Sequence, residues 1–445
     1  MITPIRQLFQ WQEPEVIAQA LIDTWGEAGF IWLDGDGSAQ GKWITLAVDP
    51  IEQICCRGLP ENKKASNPFE SLKNLKQGHW TGWLSYEAAA WLEPCNPWKE
   101  DSMATLWIGS HDPVLKFDLT KQQLWLEGCH PNRFEKFASW LKNNPKLSSK
   151  YNKEYKTLEK NSKGIPLDAW QWHTNKVIFK KNVDQIKDLI AKGDIFQANL
   201  TACCSTSLDK ENLAIDLYHK LRIYSPAPFS GIIIGAGQAN NEAIISASPE
   251  RFLKVLPTGE VESRPIKGTR PRHSDSLQDA AMAVDLVCSP KDRAENVMIV
   301  DLLRNDLGRV CKPGSINVPQ LVGIESFQHV HHLTSVVKGS LKEGSTWLDL
   351  LKASWPGGSI SGAPKLRACQ RLYELEPMAR GPYCGSFINL TWNGTFDSNI
   401  LIRSILLQGK TLRANAGCGI VADSDANSEA QELSWKLMPL LEALQ

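Results

Sequence analysis

The chain has 445 residues, with 49 Lys+Arg balancing 49 Asp+Glu, and 42% of its residues are hydrophobic. At about 150 residues per domain this length suggests two or three domains with large buried cores, and the apolar content is that of an ordinary globular protein. Zero formal net charge argues against general polyanion binding and leaves room for a local basic site.

The eleven cysteines are odd in number and contain no CxxC pair. They read as reduced, mostly buried thiols of a cytoplasmic protein. The first residues lack a basic region followed by an apolar core, so no signal peptide is expected. No apolar run approaches the ~20 residues of a membrane span.

Along residues 2–130 short strands and turns predominate. Strands are expected at 31–33, 43–48 and 122–126, and 82–91 begins extended and turns helical along 87–90. Nothing here gathers acid, base and nucleophile, so the role of this part reads as structural or regulatory. Residues 133–147 are an amphipathic helix. The polar, lysine-rich 148–164 has no sustained apolar period and reads as a linker or as a solvated helix. The expected division is 1–147, a linker over 148–171, and 172–445.

From 172 the pattern changes. Helices are expected over 175–192 and 213–223, and strands over 195–201, 231–235 and 243–248, the last two paired across a turn. Residues 248–252, Ser-Pro-Glu-Arg-Phe, lead into a strand, a turn at 257–259 and a second strand that carries Lys267. Glu250 and Lys267 thus lie near opposite ends of a hairpin, an arrangement compatible with one cavity. Pro265 and Pro271 stiffen the lysine segment, and Gly268 allows a close approach beside it. Arg264, Arg270 and Arg272 flank the lysine. Nearby cations and desolvation disfavour a protonated amine, which would make Lys267 nucleophilic. These nine residues read equally well as a solvated charge cluster.

Residues 290–307 form a strong helix with Asp292, Glu295 and Ile299 on one face, where the acids also suit the helix dipole. His329, His331 and His332 fall in a strand pair over 327–339. They read as partly buried residues more readily than as zinc ligands, because no cysteine or carboxylate spacing supports a metal there. The glycine and serine loop 357–365 opens a helix running to 375. Its spacing is not that of a nucleotide-phosphate loop, and a carboxylate-bearing ligand suits its donors better. Arg403 lies within an apolar strand expected over 399–408 and calls for a carboxylate partner. Gly417 and Gly419 mark close backbone approach in the strand 413–422. Glu429, Glu432 and Lys436 share a face of the last helix, as surface salt bridges also do. One candidate amine, separated acids and a buried arginine point to an enzyme acting on a small polycarboxylate, with a hard cation such as Mg²⁺ held by few protein ligands.

The motifs at 248–252, 264–272, 294–306, 358–365 and 416–424 resemble, in order, the signatures of chorismate-utilising enzymes. The resemblance covers residues 172 to the C-terminus and is looser before that. It implies an α/β fold of two mainly antiparallel sheets packed as a sandwich, with helices outside and N-terminal strands joining the sheets. Within the family, anthranilate synthases carry alanine at the position of Lys267, and isochorismate and salicylate synthases carry a base lysine at the position of Gln197. Lysine at 267 is the pattern of the aminodeoxychorismate synthases. The resemblance therefore implies amination of chorismate through a covalent adduct on Lys267, with Glu250 as general acid and Glu295 and Glu432 as Mg²⁺ ligands. It implies substrate contacts from Tyr383, Arg403, Gly417, Cys418, Gly419, Lys436, His332, Ser359, Gly268 and Thr269. Cys418 departs from the more usual glycine or alanine, and the choice of Glu432 over Glu429 rests on helix register. A tryptophan pocket, near 42–45 and 226–228, is poorly matched. With no cysteine nucleophile elbow in the sequence, the resemblance implies a separate glutamine amidotransferase supplying ammonia.

Overall fold

The computed structural model describes residues 3–145, 147, 164–208, 214–327 and 330–445. Among them, twelve strands form one sheet and ten another, and every strand pair is antiparallel. The larger sheet has two apolar faces. Trp32, Ile232, Ile245 and Ile405 point into a core shared with the helices Pro14–Trp25, Lys176–Ala191, Ala214–Tyr224 and Ala426–Glu442. Their neighbours Ile31, Ile233, Ile244 and Leu406 point the other way, into a core shared with Trp83, Trp107, Leu253 and Phe387 of the smaller sheet. Burial on both faces is why these strands read as unbroken apolar runs rather than alternating ones.

The N-terminal third contributes to both sheets. Ile31–Leu33 pairs with Phe229–Ile234 in the larger sheet, and Trp80–Leu84 pairs with Ser386–Leu390 in the smaller. Both large cores draw on the N-terminal third and on the remainder. Of the expected linker, 148–163 lie outside the described residues. Ile165 and Trp170 are buried, and the Ile165 N–H donates to the Leu444 carbonyl at 2.8 Å. His329 also lies outside the described residues.

Two expectations change. The run 399–408 is two strands, Phe396–Asn399 in the smaller sheet and Ser404–Gln408 in the larger, with Arg403 between them at φ +51°. The chain crosses between sheets there. It crosses again between Glu242–Ser248 and Arg251–Val255, at Pro249 and Glu250. The two crossings are stitched together: the Ile400 N–H donates to the Glu250 carbonyl at 3.0 Å, and the Ser248 hydroxyl to the Ile400 carbonyl at 2.6 Å. A helix at Ser276–Cys288, absent from the sequence reading, packs beside the lysine strand and buries only Leu286 fully.

Candidate active site

The lysine strand, Ile266–Pro271, pairs with Val330–Ser340, with Lys267 opposite Leu333 and Thr269 opposite His332. The register slips at Gly268, which has φ +77°. A glycine bulge of this kind bends the strand and re-aims its neighbours. A Cβ on Gly268 would lie 2.7 Å from Leu286 Cδ1 and 2.8 Å from Asp292 Cγ. The close approach expected from the sequence is therefore that of two helices. We expect Gly268→Ala to destabilise the fold by about 2–4 kcal/mol, from left-handed backbone strain plus overpacking; denaturant unfolding at matched protein concentration measures it.

The arginines beside Lys267 do not crowd its amine. Arg264 pairs with Glu262 at 2.9 Å and Glu325 at 2.7 Å, Arg270 with Asp285 at 2.6 Å, and Arg272 with Asp279 at 2.8 Å. The expected crowding of cations gives way to an acidic setting. Lys267 Nζ donates to the Ser359 carbonyl at 3.2 Å and lies 4.0 Å from Glu295 Oε2.

Glu250 is buried, and its carboxylate accepts from the Ser359 hydroxyl and the Ile266 N–H. Burial pushes its carboxyl up to about 7, against the opposing pull of Lys267. A carboxyl poised there donates a proton near neutral pH. The two ends of the hairpin thus meet at its open end, because antiparallel pairing folds residues equidistant from the turn side by side. Ser359 reaches both groups, with its carbonyl on Lys267 and its hydroxyl on Glu250. Its turn, Gly358–Ile360, is anchored by the Arg380 guanidinium, which donates to the Ile360 and Asn199 carbonyls at 2.7 Å each and is held by Glu376. The sequence reading missed Arg380 and Glu376. Their i, i+4 spacing spans the end of a helix, and nothing local marks either as buried.

His332 Nδ1 lies 2.9 Å from the Thr269 hydroxyl. Burial, with the Arg403 charge adding, lowers the imidazole to about 3, so it is neutral at working pH. The Arg403 side chain has no hydrogen-bond or ion-pair partner among the described residues, and burial works against its charge. Among the described residues no carboxylate pairs with it, and its charge acts on His332. Tyr383 is buried with its hydroxyl on the Cys384 thiol, and burial pushes its pKa up. The charge of Arg380 opposes that rise and the charge of Glu376 adds to it.

The strand Thr411–Ile420 forms the opposite wall. It pairs with Gln197–Ser207 throughout, but with Ser404–Gln408 only as far as Ala414, so beyond that residue one side of its backbone has no strand neighbour. Period-two alternation turns Gly417 and Gly419 one way and Cys418 the other. A Cβ on Gly419 would lie 2.5 Å from Gln197 Nε2 and 3.2 Å from Glu295 Oε2. Cys418 is fully buried towards the last helix, with its sulfur 3.5 Å from the Glu429 carbonyl, and burial pushes the thiol up to about 12. Its side chain thus faces away from Gly419's neighbours, and only its backbone remains for the substrate contact expected of it.

Glu295 and Glu432 belong together electrostatically. Burial raises the Glu295 carboxyl and the charge of Glu432 adds to this, with Lys267 and Lys291 opposing. At Glu432 burial works against the charge, yet Lys436 and Lys291 hold the carboxyl below its usual range. Lys436 Nζ donates to Glu432 at 2.7 Å and to the Gly417 carbonyl at 2.9 Å. Glu429 is engaged by Lys291 at 2.7 Å and by the Ser424 hydroxyl at 2.7 Å. This favours Glu432 as the partner of Glu295. Carboxylates such as these, one raising the proton affinity of the other, are hard oxygen donors of the kind that suits a cation such as Mg²⁺.

A family model for chorismate binding enzymes matches residues 29–442. Aminodeoxychorismate synthase component 1 of Klebsiella aerogenes is 42% identical over 277 residues, covering 62% of this chain and 60% of that protein. The matched segment thus spans about three fifths of that relative. Anthranilate synthase component 1 of Synechocystis is 35% identical over 462 residues, covering 92% of this chain and 89% of the relative. Among solved structures, anthranilate synthase component I of Streptococcus pneumoniae superposes with a TM-score of 0.71 at 28% identity, over 91% of this chain and 93% of that one. The menaquinone-specific isochorismate synthase of Escherichia coli gives a TM-score of 0.72 at 15% identity, covering 100% and 96%, a likeness of fold alone. No helix among the described residues is long and apolar enough to cross a membrane. By the family match, and by the two-sheet fold that places its signature motifs around one site, this chain belongs to the chorismate binding enzymes.

Proposed function

We propose that the chain is the synthase component of an aminodeoxychorismate synthase, which aminates chorismate at C4 with ammonia from a separate glutamine amidotransferase. The observation that carries this reading is a lysine amine 4.0 Å from Glu295 and hydrogen-bonded to the same serine as a buried glutamate whose carboxyl is raised to about 7. Lys267 attacks C2, both conjugated ring double bonds shift, and the C4 hydroxyl leaves as water with the proton that Glu250 donates. Ammonia then bonds C4, both double bonds return, and the C2–nitrogen bond to Lys267 breaks. The ring is thus substituted twice with allylic shift, and the amine ends at C4.

Arg403 and Lys436 supply cationic donors for substrate carboxylates, and Gly417 to Gly419, Gly268, Thr269, Ser359, His332 and Tyr383 are the remaining proposed contacts. Glu295 and Glu432 would hold Mg²⁺, which when bound supplies positive charge for a substrate carboxylate. For Arg403→Lys we expect KM for chorismate to rise by about tenfold to a hundredfold, with a smaller change in kcat. Loss of a planar two-donor fork weakens carboxylate binding even when charge is kept. Steady-state kinetics separates the two terms.

The test of the function is incubation with chorismate, Mg²⁺ and ammonium, followed by identification of the product. A 4-amino product supports the reading. The alternative is anthranilate synthase component I, favoured by the 92% coverage of this chain in the Synechocystis match, and anthranilate as the sole amine would establish it. Binding without turnover, even with an amidotransferase present, would indicate a ligand-sensing subunit.

A further inference from the structure

One side chain of the glycine-lined strand is not used by the site. Cys418 turns its thiol to the first turns of the helix Ala426–Glu442. There its sulfur and carboxylate oxygens of Glu429 and Glu432 all lie within 4.8 Å of one another. A second feature belongs to the same cluster. Glu429 is only 1% exposed, and its Oε2 has no hydrogen-bond partner, although Oε1 is taken by Lys291 and Ser424. An unpaired carboxylate oxygen in a buried setting costs free energy unless a ligand meets it.

We propose that Cys418, Glu429 and Glu432 together bind one thiophilic divalent cation of the Zn²⁺ or Cd²⁺ kind. The donor set sorts the metals: a thiolate with two carboxylates suits a borderline-soft ion and is poor for Mg²⁺ or Ca²⁺, which take oxygen. Zinc sits about 2.3 Å from sulfur and about 2.0 Å from oxygen, so the three donors draw together as the ion binds. The thiol proton passes to solvent as the sulfur–metal bond forms. Glu432 is the accessible member, with its side chain 38% exposed. The Lys291 ammonium, 41% exposed on its side chain, now provides the positive charge at Glu429 that the ion would replace. Because Glu432 is shared, loading this site competes with a hard cation at Glu295 and Glu432, a consequence that rests on the proposed function.

The test is a Cd²⁺ titration of the full chain in which the two exposed thiols, Cys95 and Cys288, are replaced by serine. The thiolate-to-cadmium absorption band is followed. We expect one saturable equivalent, loss of the band in Cys418→Ser, and at least about a tenfold weaker affinity in Glu429→Gln. Unfolding midpoints of the variants check that they are folded. No band in the parent, or an undiminished band in folded Cys418→Ser, overturns the proposal. So does Cd²⁺ affinity unchanged in Glu429→Gln. Excess Mg²⁺ weakening Cd²⁺ binding supports the shared Glu432. A Cys418-dependent band indifferent to Mg²⁺ leaves the soft-metal site standing and removes Glu432 from the hard-cation site.

Discussion

Lys267→Ala is expected to lower C4 amination of chorismate by about four orders of magnitude or more, the scale on which removing a covalent nucleophile acts. The amine lies on a strand whose bulge aims it at the Ser359 carbonyl, 3.2 Å away, and at Glu295. Alanine keeps the strand pairing to Leu333, which is made by backbone groups, so the fold should persist. Two readouts separate the covalent account from a merely electrostatic one. Intact-protein mass under turnover should show a ring-sized adduct in the parent and none in the variant. The variant is expected instead to direct ammonia to C2 and yield anthranilate, because direct attack no longer competes with a lysine. Unchanged mass in both proteins under turnover would overturn covalent catalysis while leaving the family assignment intact.

Glu250→Gln is expected to cost about 10²–10⁴ in kcat, the usual contribution of a positioned general acid. Its pH dependence has a definite sign. Burial raises the Glu250 carboxyl to about 7, so the proton it must donate is present below that pH and lost as pH rises through it. The parent's rate should therefore fall on the alkaline side of about 7, and in Glu250→Gln that limb should vanish from the residual rate. The glutamine keeps the size of the side chain, and it still accepts from the Ile266 N–H that Glu250 uses. A limb that survives the substitution would assign the titration to another group, and the acid's role with it.

Local order made much of this legible before folding. The alternation of Gly417, Cys418 and Gly419 needs only the period of a strand, and it correctly implies two glycines on one face. The stretch from Glu250 to Lys267 is a hairpin whose strands and turn are all local, so the meeting of its ends was within reach. The apolar run around Arg403 was not. A continuous hydrophobic segment looks the same whether it stays in one sheet or crosses to another, and only the positive φ at Arg403 and the partner strands reveal the crossing. The helix Ser276–Cys288 was missed because it buries a single residue fully, so its apolar pattern carries little contrast between faces. The arginines around Lys267 were misjudged for a different reason. Their partners Glu325, Asp285 and Asp279 lie 61, 15 and 7 residues away, and charges close in sequence need not be close to the same atom.

The residues taken in order were enough to give the family and the antiparallel two-sheet architecture, and to propose an amine and its acids. Strand period, hairpin chemistry and motif spacing are short-range properties, and they survive in a linear text. What surrounds each charge was settled by folding. The engagement of Glu429 by Lys291 and Ser424, the absence of a protein partner for Arg403 among the described residues, and the turning of Cys418 towards Glu429 all depend on elements more than a hundred residues apart or on which face of a helix meets which strand. Electrostatic energy follows distance through space and the burial along that path, and neither quantity exists until the sheets have closed.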